Sequence, residues 1–399
     1  MAETDPLLKW RSEFPILEQC TYLISNSLGA MPRGVYDSLR EYADTWATRG
    51  VRAWGEVWFN LNGKVGDKIA PLMGAPAGSV LVHQNASIAN SILFSALDYS
   101  DTRRNKVVVC DMDFPSDVYT LRAMMPPHIE VQMVHSRDSI TIDTDELLDA
   151  IDERTRLVSV SHVLFRSAYI MPARAIVEKA HRVGAQVVFN GYHSVGIIPV
   201  DVTGMNVDFY IGGVLKWMCG GPGGVFMYVR PDLLKTLQPK ITGWFAHQTP
   251  FAFDVEHHIL REDAYRLMNG TPGVASLYAI QPGIDIIAQV GVDNIRAKSV
   301  RQTSLVIELA DKAGYPVKSS RQPDQRAGTI TVQPEHAYEV SRELLARNIV
   351  IDYREGAGIR IAPHFYNTDA EIHQTMNAIA DILSDGSWQK HAAARTFVT

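Results

Sequence analysis

From about residue 77 to residue 229, short apolar runs alternate with helical patterns, and this alternation constrains the fold more than any other feature. KVVVCD (106–111) and RLVSVSHV (156–163) are typical of strands that are buried on both faces. TDELLDAIDERT and PARAIVEKAHRVG, which precede and follow the second run, carry apolar residues at helical spacing. Strands that alternate with helices indicate βαβ units, so we predict an α/β fold with a mainly parallel sheet.

Local signals place the boundaries of these elements. Thr144 is a candidate N-cap for the first helix, while Pro172 near the start and Gly184 just past the end bound the second. Further strands are predicted at IEVQMVH (129–135), AQVVFN (185–190), DFYIGG (208–213) and VFMYV (225–229). Ligands of such sheets bind at the carboxyl ends of the strands, so the residues that follow each strand are the first candidates for a site.

The pattern changes near residue 270, where Thr271-Pro272-Gly273 interrupts the chain. We predict one long helix over about 274–312, and then a small α+β domain built from TITVQP, AYEVSRELLARN, IVIDYR, GIRIAPH and DAEIHQTMNAIADIL. The predicted organisation is an N-terminal arm (1–60), a large α/β domain (61–270) and a small C-terminal α+β domain with its linking helix (271–399).

Composition excludes several classes of function. The net charge is −6 and no segment forms a basic block, which argues against a nucleic-acid partner. The 3 cysteines are far apart, so neither a disulfide framework nor a metal site is expected. The polar start is not typical of a secretory signal, and no apolar run approaches the ~18 residues of a membrane span. We therefore expect a cytoplasmic protein without membrane segments.

Lys216 is the residue that points most directly to chemistry. It follows a predicted buried strand and precedes a glycine-rich turn, in DFYIGGVLKWMCGGPGG. An amine in an apolar pocket has a lowered pKa and becomes a nucleophile toward aldehydes. The alternative is a structural lysine at a strand end beside a tight turn.

Lys216 and its glycine-rich turn, with Asn190 and His193 one βα unit upstream, resemble fold-type I pyridoxal-phosphate enzymes of the class V aminotransferase superfamily, and among them the kynureninases. Four more segments agree in order along the chain: NSLG (26–29), FPSD (114–117), GWFAH (243–247) and GIRIAPHFYN (358–367). The resemblance implies pyridoxal 5'-phosphate as cofactor, an L-amino acid as small-molecule substrate, and a homodimer with shared active sites.

The same resemblance implies roles for individual residues. Lys216 would hold the cofactor covalently, and Phe114 would stack on its ring. Ser87, with Ala86 beside it at a predicted helix start, would bind the phosphate.

Other roles concern the cofactor ring, the phosphate and the substrate. Asp117 and His193 would lie near the ring and its phenolic oxygen. Trp244 and Thr271 would reach the phosphate from the partner subunit. Arg360 would clamp the substrate α-carboxylate through its planar fork. Each of these side chains also has an ordinary structural explanation in packing, capping or a surface ion pair. Arg166, at a predicted strand end, is a weaker candidate for an anion contact.

Two positions depart from the kynureninase pattern. Residue 190 is normally an aspartate that keeps the ring nitrogen protonated, whereas Asn190 carries no charge. The tyrosine that normally precedes the lysine is Leu215 here, so Tyr192 and Tyr119 are the candidate replacement proton donors. Both departures weaken the inference to kynurenine hydrolysis itself.

Several functions therefore stay open. The first is cleavage of a Cβ bond of an L-amino acid, by C–C hydrolysis as in kynureninase or by C–S β-elimination. The second is a natural-product tailoring enzyme that performs decarboxylative oxidative deamination. The third is a non-catalytic module that binds the cofactor. A cysteine desulfurase is disfavoured, because Cys219 in the glycine turn is better explained by structure.

Overall fold

The computed structural model describes residues 5–392, and within them twelve strands are present. Seven of them form a central sheet, in the spatial order β2-β8-β7-β6-β5-β3-β4. In chain order the strands are Thr21–Tyr22 (β1), Val80–His83 (β2), Lys106–Cys110 (β3), Glu130–Val134 (β4), Thr155–Ser161 (β5), Gln186–Asn190 (β6), Phe209–Gly213 (β7), Val225–Val229 (β8), Ile330–Val332 (β9), Ile349–Val350 (β10), Asp352–Arg354 (β11) and Gly358–Ile361 (β12).

The α-helices cover both faces of the central sheet and continue into the C-terminal part, and apolar clusters fill the space between the layers. In chain order they are Gly34–Arg49 (α1), Leu61–Ile69 (α2), Ala86–Ala96 (α3), Pro115–Met124 (α4), Thr144–Asp149 (α5), Ala173–Arg182 (α6), Val274–Ala279 (α7), Gln281–Val290 (α8), Val292–Ala313 (α9), Ala337–Ala346 (α10) and Asp369–Asp385 (α11).

The central sheet confirms the predicted α/β class. Strands β3 to β7 run parallel to their neighbours, and only β8 is antiparallel, to β2 and β7. All five residues of β3 are buried, as are those of β7 and β8. Because helices cover both faces, side chains on both sides of these strands are buried, which explains why their sequences are almost entirely apolar.

Two predicted helix boundaries were wrong. The N-cap of α5 is Asp143, not Thr144, because the Asp143 carboxylate accepts hydrogen bonds from the N–H groups of Asp145 and Glu146. The long helix predicted over 274–312 is three helices, α7, α8 and α9. Pro282 is the second residue of α8, and Gly291, at a positive φ of 83°, separates α8 from α9.

The C-terminal part contains a second sheet, in the order β11-β12-β9, and its helices α10 and α11 pack on a separate apolar cluster. The N-terminal segment reaches this part, since β1 pairs in parallel with β10. The domain boundaries at 60/61 and 270/271 stay a prediction, and the terminal residues 1–4 and 393–399 lie outside the described part of the chain. Among residues 5–392 no helix is both long and apolar enough to cross a membrane.

Candidate functional site

A cavity of about 370 Å³ opens at the carboxyl ends of the central strands. Ser161 ends β5, Asn190 ends β6, and Lys216 lies three residues beyond the end of β7. This is the edge of a parallel sheet at which ligands bind. The cavity brings together eight residues that the sequence predicted for the site: Ala86, Ser87, Phe114, Asp117, Asn190, His193, Lys216 and Arg360.

Lys216 and His193 form the reactive centre of the cavity. The Nζ of Lys216 lies 2.6 Å from the Nε2 of His193. Burial, together with the positive charges of Arg360 and Arg354, lowers the pKa of Lys216 to about 7, while Asp117 and Asp352 act in the opposite direction. Burial also lowers the pKa of His193 well below its usual value, and the Lys216 charge adds to this effect. The pair is therefore an amine and a neutral imidazole, and the amine has nucleophilic character near neutral pH.

The NSLG segment packs directly on the lysine loop. The Gly29 N–H donates to the Leu215 carbonyl at 2.8 Å. A Cβ on Gly29 would lie 2.2 Å from the Lys216 carbonyl oxygen, so no larger residue fits there. The glycine of this motif thus allows the N-terminal segment to close one wall of the cavity, and Asn26 and Ser27 line that wall.

Asn190 and Asp117 are joined by a hydrogen bond at the carboxyl edge of the sheet. The Asn190 Nδ2 donates to Asp117, and its Oδ1 accepts from the Tyr192 N–H at 2.9 Å. Asn90 donates to the other Asp117 oxygen at 3.0 Å. Burial raises the pKa of Asp117 to about 6, while the two amides and Lys216 oppose the rise. A carboxylate is therefore present beside position 190, although residue 190 itself is uncharged.

Replacement of Asn190 with aspartate is expected to make the apoprotein less stable as the pH rises. Two carboxyls would then meet in a buried site, and each raises the pKa of the other above the usual ~3.9. The folded state then holds a proton that the unfolded chain has released, so the free energy of unfolding falls from about pH 4 toward pH 7. We expect Asn190→Asp to lose roughly 2–4 kcal/mol relative to the wild type near neutral pH, by urea denaturation.

The matched control exchanges the two groups, with Asn190→Asp and Asp117→Asn in one chain. This variant keeps one amide and one carboxylate in contact, so its pH profile should return toward the wild type. Parallel profiles for the single variant and the wild type would show that the two side chains are not coupled.

Arg360 belongs to a cluster with Asp352 and Arg354. Asp352 and Arg360 are directly opposite in the β11–β12 register. The Arg360 Nε donates to Asp352 at 2.7 Å, a second donor of Arg360 reaches the same carboxylate, and a third donates to the Phe165 carbonyl at 2.6 Å. Arg354 also pairs with Asp352, at 3.0 Å. Two guanidinium groups therefore share one carboxylate at the wall of the cavity.

Asp352 and Arg354 line or support this cavity although neither was predicted from the sequence. Both lie in DYR, at alternate positions of one strand, and alternate residues of a strand point to the same face. The signal was therefore present in the sequence. Its meaning depends on the pairing of β11 with β12, which puts Asp352 opposite Arg360.

Helix α3 and Phe114 supply two further parts of the cavity. Asn85 caps α3, and its side chain accepts from the Ile88 N–H at 2.9 Å. Ser87 is thus free of the capping role, and its exposed side chain lines the cavity at the helix N-terminus, where anions bind. The Phe114 ring is 46% exposed and lines the same cavity, which suits a platform for a flat aromatic group.

Three predicted residues lie outside this cavity. Trp244 packs against Phe59 and Phe245, with ring centroids 5.9 Å and 4.7 Å away. Thr271 is exposed, and Arg166 lies over the Phe165 ring at 5.3 Å. The assignment of Trp244 and Thr271 to the site of a partner subunit stays a prediction. Of the two candidate proton donors, Tyr192 lines the cavity, whereas Tyr119 is on the surface and not among the lining residues.

The chemistry of these residues fits pyridoxal 5'-phosphate. A buried amine with a pKa of about 7 suits an aldehyde, a helix N-terminus with a serine suits a phosphate, and an exposed phenyl ring suits a pyridine ring. The arginine pair suits the carboxylate of an amino acid.

The sequence of this chain is similar to those of known enzymes. The family model described as aminotransferase class-V matches residues 21–375. A kynureninase from Bacillus thuringiensis subsp. konkukian (strain 97-27) is 29% identical over 412 residues, covering 99% of this chain and 95% of that protein. A kynureninase from Burkholderia pseudomallei (strain 1106a) is also 29% identical, covering 99% and 97%.

Solved structures share the fold at lower identity. The apo structure of a cysteine desulfurase from Thermococcus onnurineus NA1 superposes with a TM-score of 0.86 at 19% identity, covering 96% of this chain and all (100%) of that one. A lysine-to-alanine variant of C-DES, with glycine covalently linked to its PLP cofactor, has a TM-score of 0.82 at 18% identity, covering 93% and 99%.

Proposed function

The chain belongs to the aminotransferase class-V family, and we propose that it cleaves the bond between Cβ and Cγ of an L-amino acid by hydrolysis, in the manner of a kynureninase. It is a pyridoxal-phosphate-dependent enzyme of that superfamily. The observation that carries the proposal is the similarity to kynureninases over 99% of the chain, together with a cavity that holds the amine and the arginine pair.

Different residues of the cavity would bind different parts of the cofactor and the substrate. Lys216 would hold the cofactor, Ser87 its phosphate, Phe114 its ring, and the Asn190–Asp117 pair its polar edge. When bound, pyridoxal phosphate supplies the electron sink for the negative charge that develops at Cα. Arg360 would hold the substrate carboxylate.

Lys216 is the proposed base for the Cα proton. Because its pKa is lowered to about 7, a large fraction of the free Nζ is neutral near pH 7, and a general base is most effective when its pKa lies close to the operating pH. His193, at 2.6 Å, holds the Nζ in position and offers it a hydrogen-bond acceptor. Hydrolysis of the bond between Cβ and Cγ adds the hydroxyl of a water molecule to Cγ and a proton to Cβ. Tyr192, whose ring lies 5.2 Å from the Nζ, is the proposed source of the proton that Cβ takes up.

The cysteines argue against transfer of sulfur through a protein persulfide, although desulfurases share the fold. Cys110 and Cys219 are buried, and neither they nor Cys20 line the cavity. Burial raises the pKa of all three thiols, that of Cys219 to about 12. A thiol must ionise to act as a nucleophile, so these cysteines are unsuited to that chemistry.

Elimination of a sulfur group from Cβ is the second candidate. Asn190 brings no charge of its own to the ring nitrogen, which favours reactions with a good β-leaving group over reactions that need a long-lived carbanion. Leu215 stands where kynureninases are expected to have a tyrosine before the lysine. This replacement also argues against hydrolysis and in favour of elimination.

One assay separates the two candidates. The cofactor-loaded enzyme is mixed with L-kynurenine or with an S-substituted L-cysteine, and the products are identified. Anthranilate and alanine from kynurenine support the proposal, whereas pyruvate from the thioether alone supports elimination. Carbon dioxide from either substrate would instead indicate the oxidative tailoring reaction, since ammonia also accompanies pyruvate in an elimination. A variant with Lys216→Ala controls for non-enzymatic breakdown of the substrates.

Uptake of the cofactor is expected to depend on pH through Lys216. Because its pKa is lowered to about 7, the rate at which the apoprotein binds pyridoxal 5'-phosphate should rise with pH and reach half its maximum near pH 7. The rate is measured from the growth of visible absorbance after mixing. Pyridoxal without the phosphate is the control, since the phosphate has its own pKa near ~6. A midpoint near ~10, the usual range of a lysine, would contradict the expectation.

We also propose that the enzyme is a homodimer in which Trp244 and Thr271 of each subunit complete the other subunit's site. Both residues lie outside the cavity of their own chain. The test mixes two inactive variants, Lys216→Ala and Trp244→Ala, under conditions that exchange subunits. Recovery of up to about a quarter of the wild-type activity per subunit is expected if a mixed dimer carries one intact site. If no activity returns, each site is complete within one chain.

A further inference from the structure

Asn26 is a buried amide with no hydrogen-bond partner among the described residues 5–392. Its side chain is 0% exposed, and neither Nδ2 nor Oδ1 has a partner. It lines the cavity that holds Lys216. A buried amide without partners is unfavourable, and native structures rarely retain one. The side chain therefore points to a ligand that supplies both an acceptor and a donor.

The position of Asn26 favours the substrate over the cofactor. Ile24, two residues before it, is bridged to Ala362, which lies two residues after Arg360. Gly29, three residues after it, donates to the Leu215 carbonyl next to Lys216. Asn26 thus belongs to the wall between the arginine cluster and the lysine. The phosphate and ring positions inferred above involve other elements, at α3 and at the end of β6.

The charges of the cavity exclude a carboxylate as the only partner of Asn26. Arg354 and Arg360 share the single carboxylate of Asp352, so one positive charge remains for one substrate carboxylate. A carboxylate only accepts hydrogen bonds, so it would leave the Asn26 Oδ1 unpaired and close to a negative charge. The group that binds Asn26 must therefore carry an N–H or O–H as well as an acceptor, and a neutral group is favoured because Arg354 and Arg360 repel a cation.

We propose that Asn26 is a specificity-determining residue that binds a neutral polar group on the substrate side chain, one that has a hydrogen-bond donor next to an acceptor. An aryl amine beside a ketone, or a carboxamide, has this character, whereas a thioether does not. The inference rests on the proposed function, because it requires that an amino acid occupies this cavity.

Two pairs of ligands test the proposal. In each pair only one member has the donor: L-kynurenine against β-benzoyl-L-alanine, and L-glutamine against L-glutamate γ-methyl ester. The dissociation constant of each ligand is measured from the absorbance change of the cofactor-loaded enzyme on rapid mixing, before turnover. We expect the wild type to bind the donor-bearing member of at least one pair about tenfold more tightly.

Variants show whether Asn26 is the origin of that preference. Asn26→Ala should bind both members of the pair equally, and Asn26→Asp, which keeps an acceptor, should retain part of the preference. The control is Asn62→Ala, since Asn62 is also a buried asparagine but donates to the Val82 carbonyl, outside the cavity. A purely structural role for Asn26 would weaken both ligands alike and leave their ratio unchanged. The visible absorbance of each variant reports whether it folds and holds the cofactor.

The proposal is wrong if the wild type shows no preference in either pair, or if Asn26→Ala keeps the preference. The proposed function fails by a different result, since the binding comparison requires no product. An enzyme that releases pyruvate from thioethers but still prefers the donor-bearing ligands would overturn kynureninase chemistry and retain the role of Asn26.

Discussion

Replacement of Lys216 with alanine is expected to lower turnover by at least about 10³-fold and to remove the visible absorbance that depends on the bond between lysine and cofactor. The expectation follows from geometry as well as chemistry. Lys216 is the one lysine that lines the described cavity, and burial with two neighbouring arginines lowers its pKa to about 7. No other amine among the lining residues can take the aldehyde or the Cα proton.

The matched control is Lys298→Ala. Lys298 is a second lysine with a buried side chain, but its Nζ donates to the Phe365 carbonyl at 2.6 Å and pairs with Asp5 at 2.8 Å, away from the cavity. This variant should lose stability and keep both the absorbance and the turnover. If Lys216→Ala retained the visible band while Lys298→Ala lost it, the assignment of the site would be wrong.

Replacement of Arg360 with lysine is expected to raise the KM of the substrate by about 10²-fold, which corresponds to about 3 kcal/mol of lost binding. A lysine keeps the charge but cannot offer the planar fork that matches a carboxylate. The loss should appear mainly in KM, because the contact exists in the ground state as well as in the transition state. Steady-state kinetics with the substrate identified in the product assay measure the effect.

Two further variants make this result specific. Arg326→Lys changes another fully buried arginine, which is bonded to Thr303 and Ser304 outside the cavity, and it should leave KM unchanged. Arg354→Lys changes the second arginine of the cluster, whose side chain is 32% exposed. A large rise in KM for Arg354→Lys with none for Arg360→Lys would assign the carboxylate clamp to Arg354.

Much of the fold was predictable because strands buried on both faces are apolar at nearly every position. The runs around 106–110 and 225–229 carried this signal, and the structure places strands there. The long helix predicted over 274–312 failed for a local reason, since the apolar spacing continues through Pro282 and Gly291 although the backbone does not. The spacing of apolar residues shows which side of a helix is buried. It does not reveal a break in the backbone when the helices on either side of the break bury the same side.

The site divides in a similar way. Seven of the eight predicted lining residues lie after strand ends or near helix starts, where the parallel topology gathers them, whereas Arg360 reaches the cavity from β12 of the antiparallel sheet. Asp352 and Arg354 were missed, since their role arises from a strand pairing rather than from a motif. Asn26 lay within a motif that the sequence analysis had recognised, but its unpaired amide became visible only with its neighbours in place.

For this protein, local chemistry was readable along the chain: apolar runs, glycines at close approaches, and a lysine beside a glycine-rich turn are properties of adjacent residues. Electrostatic interactions and long-range hydrogen bonds could not be predicted from the sequence, because they depend on distances between residues that are far apart in the chain. The lowered pKa of Lys216 arises from burial and from Arg360 and Arg354, more than one hundred residues away, and the Asn190–Asp117 contact joins the end of β6 to the first turn of α4. Burial strengthens both effects, and burial is a property of the folded molecule.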